Sequence, residues 1–244
     1  MIHYHGTPIT PTALLREQLA GRHFCVPFPA PYQARLCHDI GQSVMLDNGA
    51  FSTWKRGHKA DWPAFYAWAE EWLAFPTTWA VVPDVIDAGP DAQDALLAQW
   101  PFGSKGSPVW HMDEPIDRLV RLLDAWPRVC IGSTNQFDPP YRRRGAVGWT
   151  LRGAQSRSGI GSSRGFTCSG GLQCSGKEWP FGSVDSTDIA RNHNRAARRA
   201  GEMAAEWARA PSERPGLMAA RWDAMQCPGV WAGHVEQFDL LEVR

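Results

Sequence analysis

Short apolar runs alternate with longer stretches of helical periodicity along most of the chain. Ile2–His5, His23–Phe28, Ser43–Asp47, Trp79–Pro83, Pro108–His111 and Val129–Gly132 read as strands, mostly bounded by glycine, proline or aspartate turns. Between them, Pro11–Ala20, Tyr32–Ile40, Ala92–Trp100 and Pro115–Trp126 read as helices. Asp61-Trp62-Pro63 starts another helix with proline in its first turn. Phe65, Trp68, Ala69, Trp72 and Leu73 follow at helical spacing. Ile116, Leu119, Leu122 and Leu123 form a similar face in the next one. Residues 189–207 are helical in composition, and Leu217–Met225 begins a last helix. This alternation predicts a parallel α/β fold, in one domain covering residues 1–244.

The pattern breaks at about 139–176. Arg142–Gly170 is rich in arginine, glycine and serine, and no acidic residue occurs between Asp138 and Glu178. The segment falls where a sixth helix and seventh strand are due. It is expected to form no regular helix–strand unit and to be the least ordered part of the chain. It reads either as a natural Arg/Gly/Ser loop, long for a compact domain, or as the product of a shifted reading frame. Codons that spell Phe166-Thr-Cys-Ser-Gly-Gly171 can, shifted by one base, spell Ile-His-Met-Leu-Arg-Gly, a plausible strand.

Composition narrows the function classes. The formal net charge is +0, so no global basic field draws the chain to nucleic acid. Its cationic residues are nearly all arginine, which suits phosphate and base edges better than lysine. Most of the 13 tryptophans are expected in packing roles. The 6 cysteines form no Cys-x-x-Cys pair and no zinc-spaced cluster, so free thiols and no metal are expected. With no signal peptide and no apolar run near 18 residues, a cytoplasmic chain is expected.

Candidate chemistry gathers where strands stop. Asp47-Asn48-Gly49, Asp84, His111, Gly132-Ser133 and Asp185 each follow a strand-like run. In a parallel barrel such ends converge on one face, where the catalytic groups of these enzymes lie. Singly, each aspartate could be a turn residue or a helix cap. Together, carboxylates in one pocket push their pKa values apart, separating a nucleophile from an acid/base. His111 is either a core histidine or a pocket residue. Gly132 and Ser133 form either a plain turn or room for a flat ligand. His3 and His5 share one side of their strand, and His5, nearer its end, is the better pocket candidate. Arg191 and Arg195 could hold phosphates, as could Arg198 and Arg199, or could line an ordinary solvated helix face.

Leu46-Asp47-Asn48-Gly49-Ala50-Phe51, Val82-Pro83-Asp84-Val85 and Ser183-Val184-Asp185-Ser186-Thr187 with Ala190-Arg191-Asn192 resemble motifs of the tRNA-guanine transglycosylase superfamily. Tyr4-His5-Gly6-Thr7-Pro8-Ile9 and Trp179-Pro180-Phe181 bring the chain nearer the phage and prophage branch, the deoxypurine-in-DNA protein A family. The resemblance implies a (β/α)8 TIM-like barrel, imperfect near its sixth helix and seventh strand. It implies replacement of guanine in DNA by a 7-deazaguanine base, 7-cyano-7-deazaguanine, without a cofactor. By the same resemblance Asp185 is the nucleophile, Asp47 the acid/base and Asp84 the residue that recognises the guanine edge. Gly132 lies beside the base, and Phe51 and Ser133 join the substrate-binding candidates. The cysteine-rich zinc site of the tRNA enzymes has no counterpart here. Implied partners are DNA with a flipped or single-stranded guanine, the deazaguanine base and helper proteins, and no membrane. Two alternatives stay open: an inactive barrel remnant that binds nucleic acid, and a purine N-glycosidase or deoxyribosyltransferase acting on free nucleosides.

Overall fold

The computed structural model describes residues 1–111, 113–132, 165–168 (backbone only), 181–195 and 203–227. Its framework is one all-parallel sheet of β1 (Ile2–Gly6), β2 (His23–Pro27), β3 (Ser43–Asp47), β4 (Thr78–Val81), β5 (Gly106–Ser107), β6 (Val109–His111), β7 (Arg128–Gly132), β8 (Gly165–Cys168) and β9 (Ser183–Ser186). The spatial order is β5-β4-β3-β2-β1-β9-β8-β7-β6. Helices α1 (Ala13–Leu19), α2 (Ala34–Ile40), α3 (Ala50–Lys55), α4 (Trp62–Leu73), α5 (Pro90–Leu97) and α6 (Ile116–Ala125) lie between strands. Short helices at Asp188–Asn192 and Ala204–Trp207 and a longer one at Arg214–Asp223 follow β9.

Strand alternation sorts the side chains into two faces. Phe24, Val26, Val44, Leu46, Ala80 and Val82 turn outward and pack with helix residues such as Leu15, Phe65, Ala69 and Met218. Trp110, Val129, Ile131 and Val184 do the same beneath Leu119, Leu122 and Leu123 of α6. On the other face, Tyr4, Cys25, Met45, Trp79, Val81, Val109 and Cys130 form a cluster of their own. Contact among side chains from six strands on one face means that the sheet is curled, with this face concave. Its N-terminal end is filled by a polar network. The Trp79 indole and the Ser43 hydroxyl donate to the Tyr4 hydroxyl at 2.9 and 3.2 Å, and Arg128 lies 4.2 Å over the Trp79 ring. The candidate aspartates lie toward the opposite end, where the strands stop.

The expected (β/α)8 TIM-like barrel, imperfect only near its sixth helix and seventh strand, is not realised. Ladder pairing begins at β5 and ends at β6, and no ladder joins these two. They are consecutive in the chain and separated by Pro108, which has no N–H to give a ladder. Its carbonyl accepts from Cys130 at 2.8 Å. No helix lies between β5 and β6, and among the described residues none lies between β7 and β8 or between β8 and β9. The molecule is therefore α/β with a curled parallel sheet and an incomplete set of strand–helix units.

Two further segments add to the picture from the sequence. The segment 139–176 was expected to form no regular helix–strand unit; within it Gly165–Cys168 is a strand, parallel to both β7 and β9. The seventh-strand position is thus filled by the chain as it stands. The rest of that segment lies outside the described residues. Second, residues 189–207, helical in composition, hold among the described residues one helix that ends at Asn192 and another at Ala204–Trp207. Arg214 explains the stop: its guanidinium donates to the carbonyls of His193 and Arg195 at 3.2 and 3.1 Å. The His193 ring is itself held between the carbonyls of Ile189 and Thr10. Tertiary partners for these groups outweigh helical propensity.

Candidate active site at the strand ends

β3 ends in a turn that the sequence dictates residue by residue. Gly49 takes φ +73, and a Cβ there would lie 2.4 Å from Pro29 Cδ, so only glycine fits. Asn48 is buried. Its Oδ1 accepts from the Ala50 amide at 2.8 Å, which starts α3. Its Nδ2 donates to the Val82 carbonyl and to Asp84 Oδ1, both at 2.8 Å. One amide side chain thus ties the turn after β3 to the turn after β4. Asp47 Oδ1 accepts from the Gly49 amide at 3.3 Å.

Asp84 is also buried, and its second oxygen lies 3.0 Å from His111 Nε2. The backbone N–H of His111 donates to Glu114 at 2.9 Å, and Arg118 donates to the same Glu114 oxygen at 2.8 Å. Arg118 also reaches the Val109 carbonyl and Asp94 of α5. Gly132 pairs with His111 in register, and a Cβ on it would lie 3.2 Å from His111 Nδ1. The absent side chain leaves the imidazole its place.

Asp185 pairs with Tyr4 in the β9–β1 register. Paired residues of a parallel ladder share a face, so Asp185 belongs to the concave side with Tyr4. The electrostatics agree. Burial pushes the Cys25 thiol up, and the charges of Asp185 and Asp47 push it further. Burial likewise pushes Cys130 up to about 12, with smaller contributions from Asp185 and Asp84. The three aspartates therefore act on one small volume.

Their environments differ. Burial pushes Asp47 up to about 6; the Gly49 amide opposes the rise and the charge of Asp84 adds to it. Burial works against a charge on His111, but the hydrogen bond and charge of Asp84, with the charges of Glu114 and Asp113, outweigh it and hold His111 above its ordinary value. The result is a carboxyl that titrates near neutrality beside a second carboxylate engaged by an amide and an imidazole. Such a pair can pass a proton at one point and fix a polar ligand edge at another.

No protein-family model matches the chain, and no curated protein or solved structure matches it either. The site is therefore read from its own geometry.

The structure brings Asp47, Asp84, His111, Gly132 and Asp185 to one end of the concave face. It does not bring His5 there. His3 and His5 do share a side, but that side faces the helices. His5 Nε2 lies 3.1 Å from Asp223, which also pairs with Arg22. The inward residue of β1 is Tyr4, and register parity excludes its neighbours. Phe51 sits on α3 above the strand ends and is exposed. Arg191 and Arg195 are exposed as well. Ser133, Arg198 and Arg199 lie outside the described residues. Asn48, Glu114 and Arg118 were not singled out from the sequence as site residues. The Glu114/Arg118 pair carries an i,i+4 signal at the start of α6. Nothing local marks Asn48 as the link between two turns 36 residues apart. Among the described residues, no helix is long and apolar enough to cross a membrane, and no group of three His, Cys, Asp or Glu side chains is placed to hold a metal ion.

Proposed function

We propose that the chain is a base-exchange transglycosylase that replaces guanine in DNA by a 7-deazaguanine, with 7-cyano-7-deazaguanine as the incoming base. The observation that carries this reading is the pairing of Asp47, pushed up to about 6, with Asp84 and Asp185 on the same concave face. The motif resemblance at these three aspartates supplies the substrate class.

Asp185 attacks the anomeric carbon of the target nucleotide. The bond to the purine breaks, and Asp47, protonated, gives its proton to the departing base. A glycosyl ester on Asp185 remains. The incoming deazaguanine loses its ring N–H proton to Asp47 and attacks the same carbon. The ester bond then breaks and Asp185 is restored. One carboxylate acts as nucleophile and another as acid, then base, a division familiar from retaining glycosidases. Asp84 accepts from Asn48 on one oxygen and pairs with the His111 ring, 3.0 Å away, through the other. Each oxygen keeps a lone pair for the N1–H and exocyclic amine of a guanine-like edge. A purine inside a duplex cannot reach these groups, so the target is flipped or single-stranded.

Incubation of the purified chain with DNA and 7-cyano-7-deazaguanine, followed by digestion and mass analysis of nucleosides, tests the reading. The expected result is a deazaguanine nucleoside formed by the wild type and absent with Asp185→Asn. Release of guanine without uptake of the deazapurine would point to an N-glycosidase instead. Exchange on free deoxynucleosides alone would point to a deoxyribosyltransferase.

A further inference from the structure

We propose that α3 and the turn that follows it form a binding surface for a single-stranded nucleic acid, lying across the mouth of the candidate site. The surface deepens the base-exchange reading and rests on it for placing the strand over the aspartates.

Three observations carry the proposal. The first is exposed aromatic area in one place. Phe51 is 42% and Trp54 40% exposed, against 8% or less for Trp72, Trp79, Trp100 and Trp110. They stand three residues apart on one face of α3, with ring centroids 5.8 Å apart. Lys55 joins the same face, its ammonium 5.9 Å from the centre of the Phe51 ring. In the adjoining β2–α2 loop, Tyr32 is 66% exposed, and Pro29 of that loop abuts Gly49 at the head of α3.

The second is charge. The chain as a whole carries a formal net charge of +0. Between Asp47 and Asp61, however, there is no acidic residue, while Lys55, Arg56 and Lys59 all fall there and are all exposed. Aromatic rings interleaved with cations, free of carboxylates, match the chemistry of a stacked base and its phosphate. An acidic peptide would use the cations and leave the rings without a role.

The third is rigidity relative to the site. α3 starts on the Asn48 side chain, the same group that holds Asp84. It ends in a Schellman turn: Gly57 takes φ +70, its N–H bonds the Trp54 carbonyl at 2.8 Å, and the His58 N–H bonds the Thr53 carbonyl at 3.1 Å. The platform is fixed at both ends, and its head is fixed to the base-recognising carboxylate. A strand stacked on Phe51 and Trp54 holds its neighbouring nucleotide above Asp47 and Asp84.

Fluorescence anisotropy of a labelled single-stranded oligodeoxynucleotide, titrated with the full chain at several salt concentrations, tests the surface. Phe51→Ala with Trp54→Ala should weaken binding about tenfold or more and leave the salt dependence unchanged. Lys55→Gln with Arg56→Gln and Lys59→Gln should flatten the slope of log affinity against log salt by about two. All five side chains are partly or fully solvent-exposed, so thermal midpoints should stay near wild type. Wild-type affinity and slope in both variants, or no binding by the wild type, would overturn the proposal. So would polyglutamate binding as tightly as the oligonucleotide with the same dependence on the two rings. Binding through α3 without any base exchange would remove the base-exchange reading and leave this surface. Exchange whose DNA dependence ignores all five substitutions would do the reverse.

Discussion

Asp47 is held in a state that its own chemistry resists. Its folded pKa of about 6 lies above the ordinary 3.8. Between those values the folded state binds more protons than the unfolded state, so the contribution of Asp47 to stability falls as pH rises through the window and stays unfavourable above it. Asp47→Asn should therefore raise stability at neutral pH, by up to about 3 kcal/mol, while abolishing exchange. Urea melts at neutral pH, run beside the nucleoside assay, check both; a destabilised Asn variant would show that the carboxyl is not strained by burial. On the proposed mechanism the protonated form delivers the proton in the first step, so single-turnover guanine release should decline as pH rises above about 6. Asn48→Ala removes two donors and an acceptor from buried partners, at about 1–3 kcal/mol for each group left unsatisfied. It should weaken base binding more than it slows the bond-breaking step, which steady-state KM and kcat can separate. The aspartates were legible in the sequence because strand-end carboxylates recur at regular places. Asn48 was not, because its role depends on Val82 and Asp84, which only the folded chain brings to it.

Among elements, the link between α6 and β6 is the most exacting. Arg118 and Glu114 are both buried, and together they hold the His111 backbone and the Val109 carbonyl. Breaking one partner of such a pair leaves a charge buried alone, at about 3–5 kcal/mol. Arg118→Ala should cost that much, and Arg118→Met with Glu114→Leu markedly less. Chemical denaturation of the single and double variants decides it, and additive losses would show that the two residues are not coupled. Gly49→Ala meets a positive φ and the Pro29 ring together, so a loss of about 1–3 kcal/mol is expected from the backbone alone. Strands β1 to β4, β6 and β7 and helices α4 to α6 were readable from periodicity, since their apolar faces are buried between sheet and helices. The helix stop at Asn192 was not, because Arg214 imposes it from 22 residues away in sequence, beyond any local window. The strand at Gly165–Cys168 escaped for the opposite reason. It is short, and its place is set by β7 and β9 on either side rather than by its own pattern.

The two ends of the described chain meet where the helix Arg214–Asp223 packs against β1. Asp223 meets His3, His5 and Arg22 at once. Burial pushes His3 down to about 4, helped by His5, and pushes His5 down to about 3, helped by Arg22. The unfolded chain takes up protons near pH 6.5, while the folded chain resists until well below. Stability therefore falls as pH drops from about 6.5 toward 3, by on the order of 3 kcal/mol for each histidine. His3→Gln with His5→Gln should move the acid-unfolding midpoint to lower pH, as circular dichroism across a pH series would show. An unchanged midpoint would mean that other groups govern acid unfolding.

The break at Pro108 has a mechanical consequence. The sheet there is joined side to side by the chain itself, and the Asp84–His111 contact is a clasp fastened across the gap. On the base-exchange reading, a purine edge seated on the remaining lone pairs of Asp84 would rest directly on that clasp. No ladder hydrogen bond holds β5 to β6, so the side-chain contact carries at the strand ends what a ladder carries elsewhere in the sheet.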